Sequence, residues 1–212
     1  KELFESYLQN IFENKGDDWE EKKLSEVTKI VAGGTPKTGI KEYWGGDIAW
    51  ITPADMGKLR TREVSLTRRT ITNNGLQKSS AKLFPENSVI LSSRAPIGHL
   101  AINTVPMSTN QGCRGVVPKK YLDTIFLYYF LKGNISLLND LGTGATFKEL
   151  STKALGSVII PLPSLSQQKK IVQKLDGLFK ETKKLEAIYT QKLADLDEMK
   201  KSVLQKAFSG QL

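Results

Sequence analysis

The chain has 212 residues and a mass of 23.6 kDa, enough for one ordinary domain plus an extension and for a core that needs neither metal nor disulfide. Its 31 Lys and Arg against 22 Asp and Glu leave a formal charge of +9 and a pI near 9.5, which points to a polyanionic partner. A composition of 39% hydrophobic and 25% charged residues, with a single cysteine and no apolar run near the roughly 18 residues that span a bilayer, excludes a disordered tail, a membrane protein, a disulfide framework and a cysteine-based zinc cage.

Residues 2–13 have helical spacing, with Leu3, Phe4, Tyr7, Leu8, Ile11 and Phe12 on one side. Between about 22 and 163 the pattern is mixed with a strand bias. Short apolar or β-branched runs at 28–32, 48–52, 88–93, 98–105 and 113–117 are separated by Gly, Pro, Asn and Ser clusters. One helix interrupts them: Asp123 is placed to cap 124–132, and the run Ile125 to Leu131 is apolar all round, so burial is expected. Pro161 and Pro163 are expected to stop any strand from running into the last segment, which Ser164 and Gln167 open with the spacing of a capping box.

From there Ile171, Leu175, Leu178, Thr182, Leu185, Tyr189, Lys192, Leu196, Met199 and Val203 step alternately by four and three residues. That is a heptad seam, and the spacing predicts a coiled-coil helix of ~40 residues, roughly 60 Å long, whose stripe needs a second helix to cover it. All the seam positions except Thr182 and Lys192 are apolar, and these are the candidate dimerisation contacts. A helix lying along its own domain is the competing reading, and Gly177 weakens the helix without ending it. An internal echo adds to the case. Ser6-Tyr7-Leu8-Gln9-Asn10-Ile11-Phe12 matches Ser202-Val203-Leu204-Gln205-Lys206-Ala207-Phe208 at the Ser, Leu, Gln and Phe positions, as in one unit of a two-unit repeat; a chance match between two amphipathic helices is the alternative.

The charge is uneven. Residues 1–27 are net acidic, 28–57 are neutral, and 58–94 carry eight basic side chains against Glu63 and Glu86. Arginine suits bidentate contact with phosphates and guanine edges, so Arg60, Arg62, Arg68, Arg69, Lys78 and Arg94 are candidates for binding nucleic acid. Residues 164–212 use lysine alone, as solvated helix faces do. In the loop Gly33-Gly34-Thr35-Pro36-Lys37-Thr38, the hydroxyls of Thr35 and Thr38 and the cation of Lys37 can engage phosphate oxygens. Ser93 with Arg94, the amides Asn110 and Gln111 that can pair with adenine, and Lys148 just past Gly144-Ala145-Thr146 complete the set. An ordinary turn competes with each of these loops, and Tyr43, Trp44 and Trp50 stack either on bases or in the core.

Catalytic constellations are missing. No glycine-rich loop ends in Gly-Lys-Ser or Gly-Lys-Thr, no Gly-x-Ser-x-Gly elbow surrounds Ser92 or Ser93, and Gly142-Thr143-Gly144 lacks the third glycine of a dinucleotide fingerprint. His99, the only histidine, and Cys113, the only cysteine, make no metal site, and no Asn-Pro-Pro-Tyr or Asp-Pro-Pro-Tyr sequence marks a base-flipping methyltransferase. The chain reads as a binder rather than an enzyme. No secretory leader is visible, so the cytoplasm is expected, and a start at Lys1 rather than Met leaves open that the chain is cut from something longer.

Taken in order, several motifs resemble the specificity subunit of Type I restriction-modification enzymes. They are Trp19-Glu20-Glu21-Lys22-Lys23-Leu24, the Gly-Gly-Thr-Pro loop, Ile48-Ala49-Trp50-Ile51-Thr52-Pro53-Ala54-Asp55, Ser92-Ser93-Arg94-Ala95-Pro96-Ile97-Gly98, Asn110-Gln111-Gly112, Pro161-Leu162-Pro163-Ser164-Leu165-Ser166-Gln167-Gln168 and Leu204-Gln205-Lys206-Ala207-Phe208-Ser209-Gly210. The resemblance implies an α+β protein: a β-rich mixed target-recognition domain over 19–163, a long coiled-coil helix over 164–212 for dimerisation and spacing, and an N-terminal helix over 1–18 completing the conserved region. A full subunit of that family has two such units, so the chain is either half of a longer subunit or a half-length subunit that homodimerises, and the homodimer is favoured. The implied partners are double-stranded DNA, methyltransferase subunits and restriction subunits. S-adenosylmethionine, ATP and Mg are expected on those partner subunits and no cofactor on this chain. A stand-alone dimeric DNA-binding regulator and a catalytic domain with an unfamiliar site are the alternatives.

Overall fold

The computed structural model describes residues 2–16, 18–94, 96–144 and 148–209; Ala95, Ala145, Thr146 and Gly210 of the motifs above, and the side chain of Leu3, lie outside the description. The chain opens with helix α1 (Glu2–Glu13), strand β1 (Glu20–Lys23), the one-turn helix α2 (Leu24–Val27) and β2 (Thr28–Ala32). After a loop come β3 (Trp44–Ile51), α3 (Pro53–Met56), β4 (Glu63–Val64), β5 (Arg69–Ile71) and α4 (Asn73–Gln77). Strands β6 (Val89–Ser92), β7 (Leu100–Asn103), β8 (Met107–Thr109) and β9 (Cys113–Pro118) precede helices α5 (Thr124–Gly133), α6 (Ile135–Asp140) and α7 (Thr152–Ser157). Strand β10 (Ile159–Leu162) leads into the 44-residue helix α8 (Leu165–Phe208).

The strands form a mixed five-stranded sheet in the order β2-β9-β6-β7-β4, a three-stranded sheet β5-β3-β8 and the antiparallel ribbon β1-β10. Alternation along β6 shows how the layers are built. Val89 and Leu91 point into a core shared with α1, α5, α6, α7 and the start of α8, whereas Ile90 points into a second core shared with Ala49, Ile51 and Met107 of the three-stranded sheet. Helices therefore cover one face of the larger sheet and the smaller sheet covers the other, which is the α+β architecture expected. Gly115 of β9 is needed for this stacking, because a Cβ there would lie 2.6 Å from the Phe84 ring.

The runs expected at 28–32, 88–93, 98–105 and 113–117 are strands β2, β6, β7 and β9, and Asp123 caps α5 by accepting from the amides of Ile125 and Phe126. One expectation changes. Strand β3 begins at Trp44 rather than at 48, because its pairing with β5 shifts register between Trp44 and Ile48 and carries the chain past a bulge. Strand β10 takes in Pro161, tolerated because both strands of a two-stranded ribbon are edges, and ends at Leu162, so no strand runs into the last helix.

The capping box at Ser164 and Gln167 forms as read, and α8 is continuous over about 66 Å at ~1.5 Å per residue. Its root is bound to the domain. Val172 and Leu175 are buried in the helical core with Ile171 and Leu178 packed against it, and buried Gln168 accepts from the Asp123 amide and donates to the carbonyls of Tyr121 and Pro163. From Lys183 to Ser209 every residue is exposed. This corrects the seam as a single pairing surface: Ile171, Leu175 and Leu178 face their own core, while Leu185, Tyr189, Leu196, Met199 and Val203 are bare. The two copies of the echo differ in the same way. Leu8 is buried and the Phe12 ring meets Phe126 and Phe130 edge-on at 5.5 and 5.3 Å, whereas Leu204 and Phe208 are exposed. Among the described residues no helix is long and apolar enough to cross a membrane.

Candidate nucleic-acid interface

Strands β2 and β6 end where the antiparallel β9 begins, since Ala32 pairs with Arg114 and Ser92 with Cys113. The loops that leave these strand ends are therefore forced together. The Gly34 amide donates to the carbonyl of Thr109 at 2.8 Å, and the Thr35 hydroxyl donates to the Gln111 side-chain carbonyl at 2.5 Å. Gly33 must be glycine for this approach, because a Cβ there would fall 1.9 Å from the Asn110 carbonyl oxygen. Asn110 folds its own turn: its side-chain carbonyl accepts from the Gly112 amide at 3.1 Å, and the Gly112 carbonyl accepts from the Ser93 amide at 2.8 Å. Thus Thr35, Asn110, Gln111, Ser93 and Arg94 are brought together from loops up to 76 residues apart in sequence.

A fourth segment joins them. The carboxylate of Glu149 accepts from Arg94 at 2.8 Å and from Arg114 at 3.0 Å, and its neighbour Lys148 is exposed beside this bridge. The Arg94 hydrogen bond, with help from Arg114, holds the Glu149 carboxyl below the usual carboxylate range despite its partial burial. Arg114 is buried and also donates to the carbonyls of Gln111 and Cys113, so it braces the loop from beneath. Neither residue was among the sequence candidates. A lone arginine inside the apolar run 113–117 was a usable signal for Arg114; Glu149 comes from a distant segment and gave none.

The remaining candidates fall elsewhere or change role. Lys37 and Thr38 are exposed on the loop after Thr35. Arg69 lies over the Trp44 ring with its guanidinium carbon 3.5 Å from the centroid, and Trp44 meets Trp50 edge-on at 5.1 Å. Trp50 is core, while Trp44 and Tyr43 are half-buried, and Arg68 just before β5 and Lys78 just after α4 are exposed. Ser93 leaves the contact set because it is fully buried. Arg62 is engaged by Asp176 of α8 at 2.5 Å, with Arg60 lining the same cleft beside that helix.

Among the described residues no group of His, Cys, Asp and Glu is arranged to hold a metal ion. Cys113 is buried, and that burial pushes its thiol up to about 12, so it is no nucleophile at neutral pH. What the arrangement offers is a fixed surface of amides, hydroxyls and cations suited to phosphate and base edges.

Residues 16–193 match the family described as Type I restriction modification DNA specificity domain. The MjaIX specificity subunit of Methanocaldococcus jannaschii is 41% identical over 172 residues, covering 79% of this chain and 40% of that protein. The EcoR124I/EcoR124II specificity subunit of Escherichia coli is 31% identical, covering 83% of this chain and 45% of that one. Among solved structures, a chain from the type I R-M system superposes with a TM-score of 0.81 at 26% identity, covering 99% of this chain and 52% of its own. The HsdS subunit from Thermoanaerobacter tengcongensis superposes with a TM-score of 0.73 at 25% identity, covering 99% and 50%. The chain thus spans about half the length of the relatives it matches.

Proposed function

The chain belongs to the Type I restriction-modification DNA specificity family, and from that premise we propose that it is a non-catalytic DNA-recognition module that reads one half of a bipartite site. The observation that carries this reading is the convergence of the 33–35, 92–94 and 109–114 segments and Glu149 on one end of the larger sheet, tied by Thr35–Gln111 and Arg94–Glu149–Arg114. Fixed loops lose little conformational freedom on binding, so their amides and cations present one pattern rather than many. DNA is the partner that fits a net charge of +9 with arginine concentrated in the recognition domain.

The bare stripe on α8 supports the second half of the proposal. Leu185, Tyr189, Leu196, Met199 and Val203, joined by Ile188, Leu193 and Leu204, leave an apolar face with nothing covering it, and a twin helix or a second unit of a longer chain would bury it. Pairing two such arms antiparallel sets two reading ends a fixed distance apart. Methyltransferase subunits carrying S-adenosylmethionine and restriction subunits using ATP and Mg are the partners that would supply the chemistry, in the cytoplasm.

Gel shifts across a salt series test the reading surface. Arg94→Ala should weaken DNA binding by about 1–3 kcal/mol if it reads a guanine, or lower affinity uniformly across sequences with a salt slope reduced by about one if it holds phosphate. Unchanged affinity in both Arg94→Ala and Lys37→Ala would remove this end of the sheet from the interface.

A further inference from the structure

Asp176 lies where α8 parts from the domain. Its carboxylate takes two hydrogen bonds from the Arg62 guanidinium, at 2.5 and 3.3 Å, and a third from the Tyr129 hydroxyl at 2.5 Å. Arg62 also donates to the Tyr129 oxygen at 3.3 Å, which closes the triangle. Three separate parts of the chain thus meet at one carboxylate: the segment leading into β4, helix α5 and α8. Gly177 follows immediately and has open space around it, the Phe179 ring meets Phe4 edge-on and Lys132, and beyond Thr182 no described residue covers the helix.

We propose that Arg62, Asp176 and Tyr129 form the joint that fixes the direction in which α8 leaves the recognition domain, which makes Arg62 and Tyr129 positioning residues for half-site spacing. The apolar anchors Val172 and Leu175 hold the helix to the domain and Gln168 ties its first turns, but apolar contact is non-directional and the Gln168 bonds lie about two turns before Asp176, where the helix parts from the domain. A bidentate guanidinium–carboxylate pair fixes direction as well as distance. The leverage is large. From Asp176 to its end at Phe208 the helix is about 48 Å long, so a swing of about 10° at the joint displaces that end by about 8 Å, more than two base-pair steps. The pair is half-exposed, with side-chain exposures of 26% and 38%, and such pairs contribute little to stability, so its geometry is the property with consequences.

This inference rests on the bipartite reading above, and selection of bound sequences from a randomised DNA pool separates the two. The unaltered full chain should enrich two copies of one half-site at a single spacer length. Arg62→Met should enrich the same half-site with spacer lengths spread over at least three values, and Tyr129→Phe, which keeps the ring and removes one donor, should broaden the spread less. Circular dichroism checks that each variant is folded, and Tyr129→Phe carries the test if Arg62→Met is not. A single unchanged spacer in a folded variant overturns the joint alone. Loss of the half-site itself in Arg62→Met, with Tyr129→Phe unaltered, overturns it by making Arg62 a direct contact. A lone half-site enriched by the unaltered chain overturns the bipartite reading, and the joint with it.

Discussion

The root and the arm of α8 share one helix and one heptad pattern, yet the first is enclosed and the second is bare. Leu175 is fully buried, while Leu185 and Leu196, on the same seam, are 51% and 56% exposed. Periodicity states that a stripe is to be covered and says nothing of what covers it. At the root the cover is the chain's own core of α1, α5 and the five-stranded sheet; along the arm no described residue covers it. The lysines flanking the stripe, Lys183, Lys184, Lys200 and Lys201, keep the arm hydrated without hiding it.

The largest effect that distinguishes the two regions is a matched truncation. Leu175→Ala should lower the stability of the domain by about 2–5 kcal/mol, as an enclosed leucine does, whereas Leu196→Ala should change monomer stability by less than about 0.5 kcal/mol. Urea unfolding of both variants at low protein concentration measures this, and equal losses would erase the distinction. Next in size, Leu185→Glu combined with Leu196→Glu should abolish concentration-dependent association in sedimentation while leaving the unfolding midpoint of the domain in place. If association persists, the stripe is not the pairing surface.

A smaller, pH-dependent effect belongs to the root. Burial alone would raise the Asp176 carboxyl, but hydrogen bonds from Arg62 and Tyr129 and the Arg62 charge outweigh it and hold the group below the ordinary range. A depressed folded value means that the pair contributes stability above the ordinary carboxylate pKa of about 3.9 and loses it as pH falls through the folded value. The difference in urea midpoint between the unaltered chain and Asp176→Asn should therefore be constant near neutrality and shrink below about pH 4. The smallest effect is on the arm. Lys201 pairs with Asp197 at 2.8 Å one turn away in open solvent, and Lys201→Met should shift stability by no more than about 0.5 kcal/mol.

Much of the fold was legible because it is local. The Asp123 and Ser164 caps, the all-apolar α5, four of the strand runs and the length of α8 each depend on residues within a turn or a strand of one another. The strands that escaped were short, polar or interrupted by proline: β1 is Glu-Glu-Lys-Lys, β4, β5 and β8 have two or three residues each, and the four-residue β10 contains Pro161. Their existence depends on partners, not on their own pattern. The candidate site divides likewise. The glycine-rich loop and the Asn110–Gln111 turn announced themselves by composition, but Arg62 gave no sign that it faces α8 rather than a ligand, and Ser93 gave none that it is enclosed.

By itself the sequence determined the family motifs, the basic recognition domain and a long helix with a stripe to bury, because propensity, capping and periodicity act between near neighbours. Only the tertiary structure decided that Glu149 ties Arg94 to Arg114, that Arg62 clamps a residue 114 positions away, and where along α8 the stripe passes from enclosed to bare. Those outcomes depend on which distant segments the sheet order places side by side, and no local pattern encodes that path.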